Sequence, residues 1–129
     1  MKRVFISVPM RNRSDEAIEK SIEYLHKVAE AWQGEPLTPI HNFVEYPEEI
    51  MDAVNSPSLL YLGAAIEKMA LAECYIGLSD VENFPGCSCE NYIADKYGIE
   101  RLLVRMDQCD DGVFNDIFEG MVKTDGESM

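Results

Sequence analysis

The hydrophobic positions change their period along the chain. "RVFISV" (3–8) is a short apolar run stopped by Pro9, which predicts a buried strand. Ser14 then precedes Asp15 and Glu16, the signature of an N-cap with acids in the first helical turn. Ile18, Ile22, Leu25, Ala29 and Trp32 fall on one face of the helix that follows, and Gly34 suits its end. "EPLTPI" (35–40) predicts a second strand. A helical turn is expected over 48–53. A longer helix is expected over 58–71, with Leu59, Leu62, Ile66 and Met69 on one face. "ECYIGLS" (73–79) and "IERLLVR" (99–105) predict two more strands. Between them, the turn-rich "DVENFPG" leads into a short helix, "CSCENYIADKYG", closed by Gly98. "DGVFNDIFEGMV" predicts a terminal helix, and the last residues should fray.

Apolar strands alternating with amphipathic helices imply an α/β fold. The expectation is a small flavodoxin-like or Rossmann-like parallel sheet of four to five strands, with helices on both faces. One domain over 1–122 and a short tail over 123–129 fit the length of 129 residues. Ligands of such sheets sit beyond the carboxyl ends of the strands, where the strand order reverses. The loops at 8–13, 40–46 and 80–90 should meet there.

Charge narrows the partners. A formal net charge of −13 repels nucleic-acid backbones and anionic membranes alike. A small phosphorylated ligand stays compatible, because one arginine or one helix terminus can hold it. The N-terminal apolar run is too short for a signal peptide, and no run approaches a membrane span, so a cytoplasmic location is expected. Cys74, Cys87, Cys89 and Cys109, with His26 and His41, do not form the paired spacing of a zinc site. Free thiols and no metal are expected, and no cofactor.

The candidate chemistry clusters in the third loop. Glu90 is placed by the pattern in the first turn of its helix, where the helix dipole would keep it ionised. An ionised carboxylate there suits attack on the anomeric carbon of a sugar. First-turn acids also stabilise helices in their own right, so position alone leaves both roles open. Pro85-Gly86 suits a tight turn that aims the N–H groups of Gly86, Cys87 and Ser88, with the Ser88 hydroxyl, at a phosphate or sugar hydroxyl. Equally, Ser88 or Cys87 caps the helix. Arg11 and Arg13 follow the first strand as candidate phosphate ligands, with solvated surface arginines as the plainer reading. Asp80 and Glu82 flank the same mouth as candidate ribose ligands or general acids, or as solvated loop acids. Met10, Tyr46 and Phe84 could sandwich a base, or simply pack.

These residues together resemble the nucleoside 2-deoxyribosyltransferase-like superfamily, and within it the small phage and bacterial proteins of the DUF4406 family. The resemblance covers about 3–105. "VFISVPMR" is similar to the opening strand and loop, and "AECYIGLSDVENFPGCSCENYIADKYGIERLLV" to the second signature. The resemblance implies that Glu90 is a nucleophile on C1′ of a nucleoside or nucleotide. It implies that 86–88 contacts the sugar or its 5′-phosphate and that Arg11 matches a first-loop arginine of nucleotide-hydrolysing members.

Three positions depart from the family pattern. Phe5 stands where a tyrosine commonly bonds the nucleophile, Val8 replaces a loop glycine, and Ala65 occupies the place of an aspartate that assists the leaving base. Asp80, Glu82 or Glu67 would then have to substitute for it. The implied activity is N-glycosidic cleavage or transfer, with a non-catalytic nucleotide-binding module as the alternative. Homo-oligomerisation through apolar residues of "LLYLGAAI" or "VFNDIFEGM" is also expected.

Overall fold

The computed structural model describes residues 1–41 and 46–119, and for His41 the backbone alone. Strand β1 is Arg3–Ile6 and helix α1 is Asp15–Gln33. Strand β2 is Thr38–His41, followed by a short helix α2, Glu48–Ala53, and by α3, Pro57–Met69. Strand β3 is Cys74–Leu78, α4 is Pro85–Lys96 and β4 is Glu100–Val104. A 3-10 turn at Met106–Gln108 follows, and residues 115–119 are helical. The 42–45 part of the second loop and the expected tail lie outside the described residues.

The strands pair in parallel in the order β2-β1-β3-β4. This is the flavodoxin-like order with the first four strands, and it reverses between β1 and β3. Each face of the sheet carries its own core. On one face Val4, Ile6, Cys74, Ile76 and Leu78 meet Leu25 and Ala29 of α1, together with Phe114 and Ile117. On the other, Phe5 and Tyr75 meet Ala65 and Met69 of α3 and Ala94 of α4. Alternate side chains of each central strand therefore feed opposite cores, as the two-residue strand period requires.

Local signals explain the helix ends. The Ser14 side chain accepts from Ala17 N–H, and Gly34 closes α1 in the left-handed region at φ 70°. Two expectations need correction. Helix α3 buries its small residues, Ala64 and Ala65, together with Met69. Leu59 is left 67% exposed and Ile66 40% exposed, because the alanines allow α3 to lie close against the sheet. Helix α4 begins at Pro85, two residues before the predicted start, with Phe84 as an N-cap that offers no side-chain bond. Proline at the first helical position loses no hydrogen bond, since that N–H has no helical partner anyway.

Candidate functional site

Moving the start of α4 moves Glu90. It lies in the second turn rather than the first, and its side chain turns inward, only 6% exposed. Ser7, the first residue after β1, donates to the carboxylate: Ser7 Oγ to Glu90 Oε1 is 2.7 Å. The Ser7 N–H is itself spent on Ile76 O at 3.0 Å, so the residue is pinned between β1 and β3. Glu90 and Ser7 thus meet at the carboxyl ends of the two strands between which the sheet order reverses.

The expected electrostatics are reversed. Burial pushes the Glu90 carboxyl up to about 7, and the Ser7 bond offsets this only in part. The helix dipole falls off within the first turn, so it does not hold Glu90 ionised. Among the described residues, the second carboxylate oxygen has no hydrogen-bond partner. A buried acceptor left bare is costly, and such groups concentrate at functional sites.

A polar network continues behind this pair. Asn91 Nδ2 donates to Leu78 O at 2.7 Å, and the Tyr75 hydroxyl donates to Asn91 Oδ1. Burial raises the Tyr75 phenol well above its ordinary range and pushes the Cys87 thiol up to about 12, so both are neutral. Cys87 is consequently a poor nucleophile.

Gly77 makes this network possible. A Cβ there would lie 2.7 Å from Asn91 Oδ1 and 3.0 Å from the Tyr75 hydroxyl oxygen. Gly77→Ala should therefore break the Tyr75–Asn91 bond and cost roughly 2–4 kcal/mol, through overpacking and unpaired buried polar groups. Urea denaturation measures it, and a loss below about 0.5 kcal/mol would refute the steric argument.

The other predicted site residues divide. Phe5 is fully buried and stacks on Tyr75, with ring centroids 5.8 Å apart and planes 5° apart. It therefore forms part of the floor and cannot touch a ligand directly. Ala65 lies in the same apolar cluster as this stack. Asp80 spends its carboxylate on Met106 N–H, at 2.9 and 3.2 Å from its two oxygens, and so anchors the turn after β4. Glu82 and Glu67 are exposed. Gly86 and Ser88 are exposed on the first turn of α4, where the N–H groups of Gly86 and Cys87 precede the first helical bond. The Ser88 N–H is taken by Phe84 O at 3.0 Å, so it is not available to a ligand.

Asn12 adopts the left-handed region, φ 61°, which asparagine tolerates, and the loop turns there. Arg11 is exposed, without an ion pair among the described residues. Arg13 points inward, and the reading of it as a solvated or phosphate-binding arginine is corrected. Its guanidinium bonds Asp116, Ser21 Oγ and the carbonyls of Pro9, Ala17 and Val113. Met10 and Phe84 are half-buried against the α1-side core, while Tyr46 meets Tyr61 edge-on at 5.7 Å.

Two further observations bound the site. A cavity of about 310 Å³ lies between α1 and the end of β4, lined by Tyr24, Val28, Arg105 and Cys109 among others, and none of the predicted site residues lines it. Among the described residues no cluster of His, Cys, Asp or Glu side chains could hold a metal ion, all four cysteines are free, and no helix is long and apolar enough to cross a membrane.

Sequence reasoning missed Ser7, Tyr75 and Asn91. The available signals were a lone hydroxyl in an apolar strand run and a glycine two residues after a strand tyrosine, which marks a close approach on that face. Comparison with family models, curated proteins and solved structures gives no match to this chain.

Proposed function

We propose that the chain cleaves or transfers at the N-glycosidic bond of a nucleoside or nucleotide, with Glu90 as the attacking group. The observation that carries this reading is the Glu90 carboxylate itself: buried, anchored by one serine, with an oxygen unpartnered among the described residues, at the reversal point of the sheet. At neutral pH about half of it is ionised, given a midpoint of about 7. The ionised oxygen bonds to the anomeric carbon as the carbon–nitrogen bond breaks and the base leaves with the electron pair. Water then attacks the glycosyl ester, which frees the sugar and restores the carboxylate; an acceptor base in place of water gives transfer. Arg11 and the free N–H groups of Gly86 and Cys87 would hold a 5′-phosphate. Glu82, exposed and not committed as Asp80 is, remains the acid available to protonate the leaving base.

A specific observation also favours a non-catalytic nucleotide-binding module using the same cleft. Phe5 and Ala65 sit together in one buried apolar cluster, so neither position supplies a polar group to a leaving base. On either reading the partner is a small nucleoside or nucleotide. Self-association through the exposed Leu59 and Ile66 of α3 fits both as well.

Base release from a panel of nucleosides and nucleoside monophosphates, wild type beside Glu90→Gln, separates the two. The glycosidic reading expects release that falls by about 10³-fold or more in the variant, the scale lost with an essential catalytic group. Equal release by both proteins, or none by either, rejects it. A nucleotide that raises the melting temperature and is recovered intact identifies the binding module.

A further inference from the structure

The sheet has two edges, and the chain treats them differently. At β2 the Thr38 N–H is spent on Lys2 O at 2.8 Å, so Pro39 faces outward and offers no donor there. At β4 no proline blunts the edge. Val104 O accepts from Ser79 N–H at 2.9 Å, while Val104 lies opposite Leu78 in the parallel register. Glu100, Leu102 and Val104 therefore spend their backbone groups on β3, and the N–H and C=O of Arg101 and Leu103 point away from the sheet. Among the described residues no strand lies beyond β4. Unpaired groups in such a row are a template for another strand.

The cavity of about 310 Å³ lies against this edge. Leu103, Val104 and Arg105 form one wall, and Tyr24 and Val28 of α1 form another. The Leu103 side chain packs into the cluster on the α3 and α4 side of the sheet, so its backbone edge is what meets the cavity. A strand paired on Leu103 would send its next side chain onto the α1 face, as the two-residue period requires. Val28 and Val104 give that side chain an apolar wall.

Charge selects the occupant. Arg101 is paired with Asp95 at 3.0 Å, and Arg105 is bonded to Asp107 at 2.9 and 2.7 Å. Each arginine of the edge is thus matched by one acid. Glu100 at the start of the strand and Asp110, whose N–H bonds the Tyr24 hydroxyl at 3.0 Å, leave an excess of negative charge. The chain as a whole carries −13. A second copy would bring the same charge to the same edge, whereas a cationic segment is attracted to it.

We propose that the outer edge of β4 is a strand-addition site for an extended, lysine- or arginine-bearing peptide segment of another protein, with one apolar side chain seated in the cavity beside α1. The Leu103 N–H and C=O supply the main-chain bonds, and the acidic rim selects the charge. The site shares no residue with the proposed glycosidic chemistry and does not rest on it.

The test is an NMR titration of the full chain with a seven-residue peptide that alternates lysine with valine and phenylalanine and is capped at both ends. The Arg101 and Leu103 amides should exchange freely with solvent in the free protein. With peptide bound they should shift and exchange at least about tenfold more slowly. No change at Leu103 with millimolar peptide overturns the proposal. So does slow exchange at both amides before peptide is added, since this chain or a second copy then already covers the edge. Arg101→Pro removes an outward N–H and leaves the β3 ladder intact. It should bind the peptide about tenfold more weakly than Arg101→Ala, which loses the same side chain but keeps the donor. Equal affinity of the two variants overturns the proposal. Wild type alone gives a further check: a peptide with glutamate in place of lysine, or one methylated on alternate backbone nitrogens along its pairing edge, should bind at least about tenfold more weakly. Undiminished binding of either peptide overturns the proposal.

Discussion

Glu90→Gln should raise the melting temperature at pH 8.5 by roughly 10 °C, and this gain should vanish near pH 5. The sign follows from linkage. The Glu90 carboxyl titrates at about 7 in the folded protein and near the ordinary 4.5 in the unfolded chain. The folded state therefore holds its proton more tightly. The associated stability is fully present below pH 4.5 and is lost as pH rises through 7. Above that, a charged carboxylate sits in a site that disfavours it, at a cost on the order of 3 kcal/mol. Glutamine keeps the acceptor for Ser7 and removes the charge, while its unpaired amide returns part of the gain, leaving about 2 kcal/mol. Thermal melts of both proteins across pH 5–9 check this. A pH-independent difference, or a variant less stable at high pH, would show that Glu90 is not a desolvated carboxylate. A protein that keeps a destabilising charge in place of its neutral isostere fits the trade between stability and activity seen at functional sites.

Arg13→Ala should be the most damaging substitution outside the Glu90 network, at about 3–5 kcal/mol. The Arg13 side chain is 2% exposed and pairs with Asp116 at 2.7 Å. It also stands 5.5 Å from the Phe114 ring centroid. Truncation leaves the Pro9 carbonyl short of a donor in a part-buried setting and removes one of the two donors, Arg13 and the Ser21 hydroxyl, that reach the Val113 carbonyl. It also unties the first loop from the segment around 113–116. Arg13→Lys should not rescue the loss, because three rotating ammonium protons cannot reproduce a planar five-donor fork. Urea midpoints for the three proteins test both statements, and a lysine variant within about 0.5 kcal/mol of wild type would reduce the clip to a simple point charge. The Arg13 hydrogen bond also holds the Asp116 carboxyl below its usual range. That part of the stability is therefore present above the ordinary carboxylate value and fades as pH falls through the lowered one.

Much of the fold was legible because local signals agreed with the global one. Apolar runs ending at Pro9 and the serine cap before Asp15 each acted through neighbours in sequence. Gly34 and the alternation of strand and helix did the same. The parallel sheet with helices on both faces then follows from the handed, short-range rules of chain connection. The α3 face was not legible in this way. Periodicity ranks side chains by hydrophobicity, whereas close packing of a helix on a sheet rewards the small ones, Ala64 and Ala65.

At the candidate site, residue type and placement separated. The pattern alone identified Glu90 as a carboxylate between the third strand and its helix, and Arg11 and Arg13 as cations after the first. Tertiary structure decided what each one is. A start two residues earlier turned Glu90 from a solvated first-turn acid into a buried one at the second turn. Ser7, some eighty positions away in the chain, became its hydrogen-bond partner. Arg13 became a buried clip while Arg11 stayed outside. The charge state of a carboxyl depends on how much water surrounds it and which donors reach it, and both are set by contacts between residues distant in sequence. Sequence by itself determined the order of elements and the kinds of chemical groups beside the β1–β3 reversal; only the packing of β1, β3 and α4 against one another determined which of those groups is desolvated.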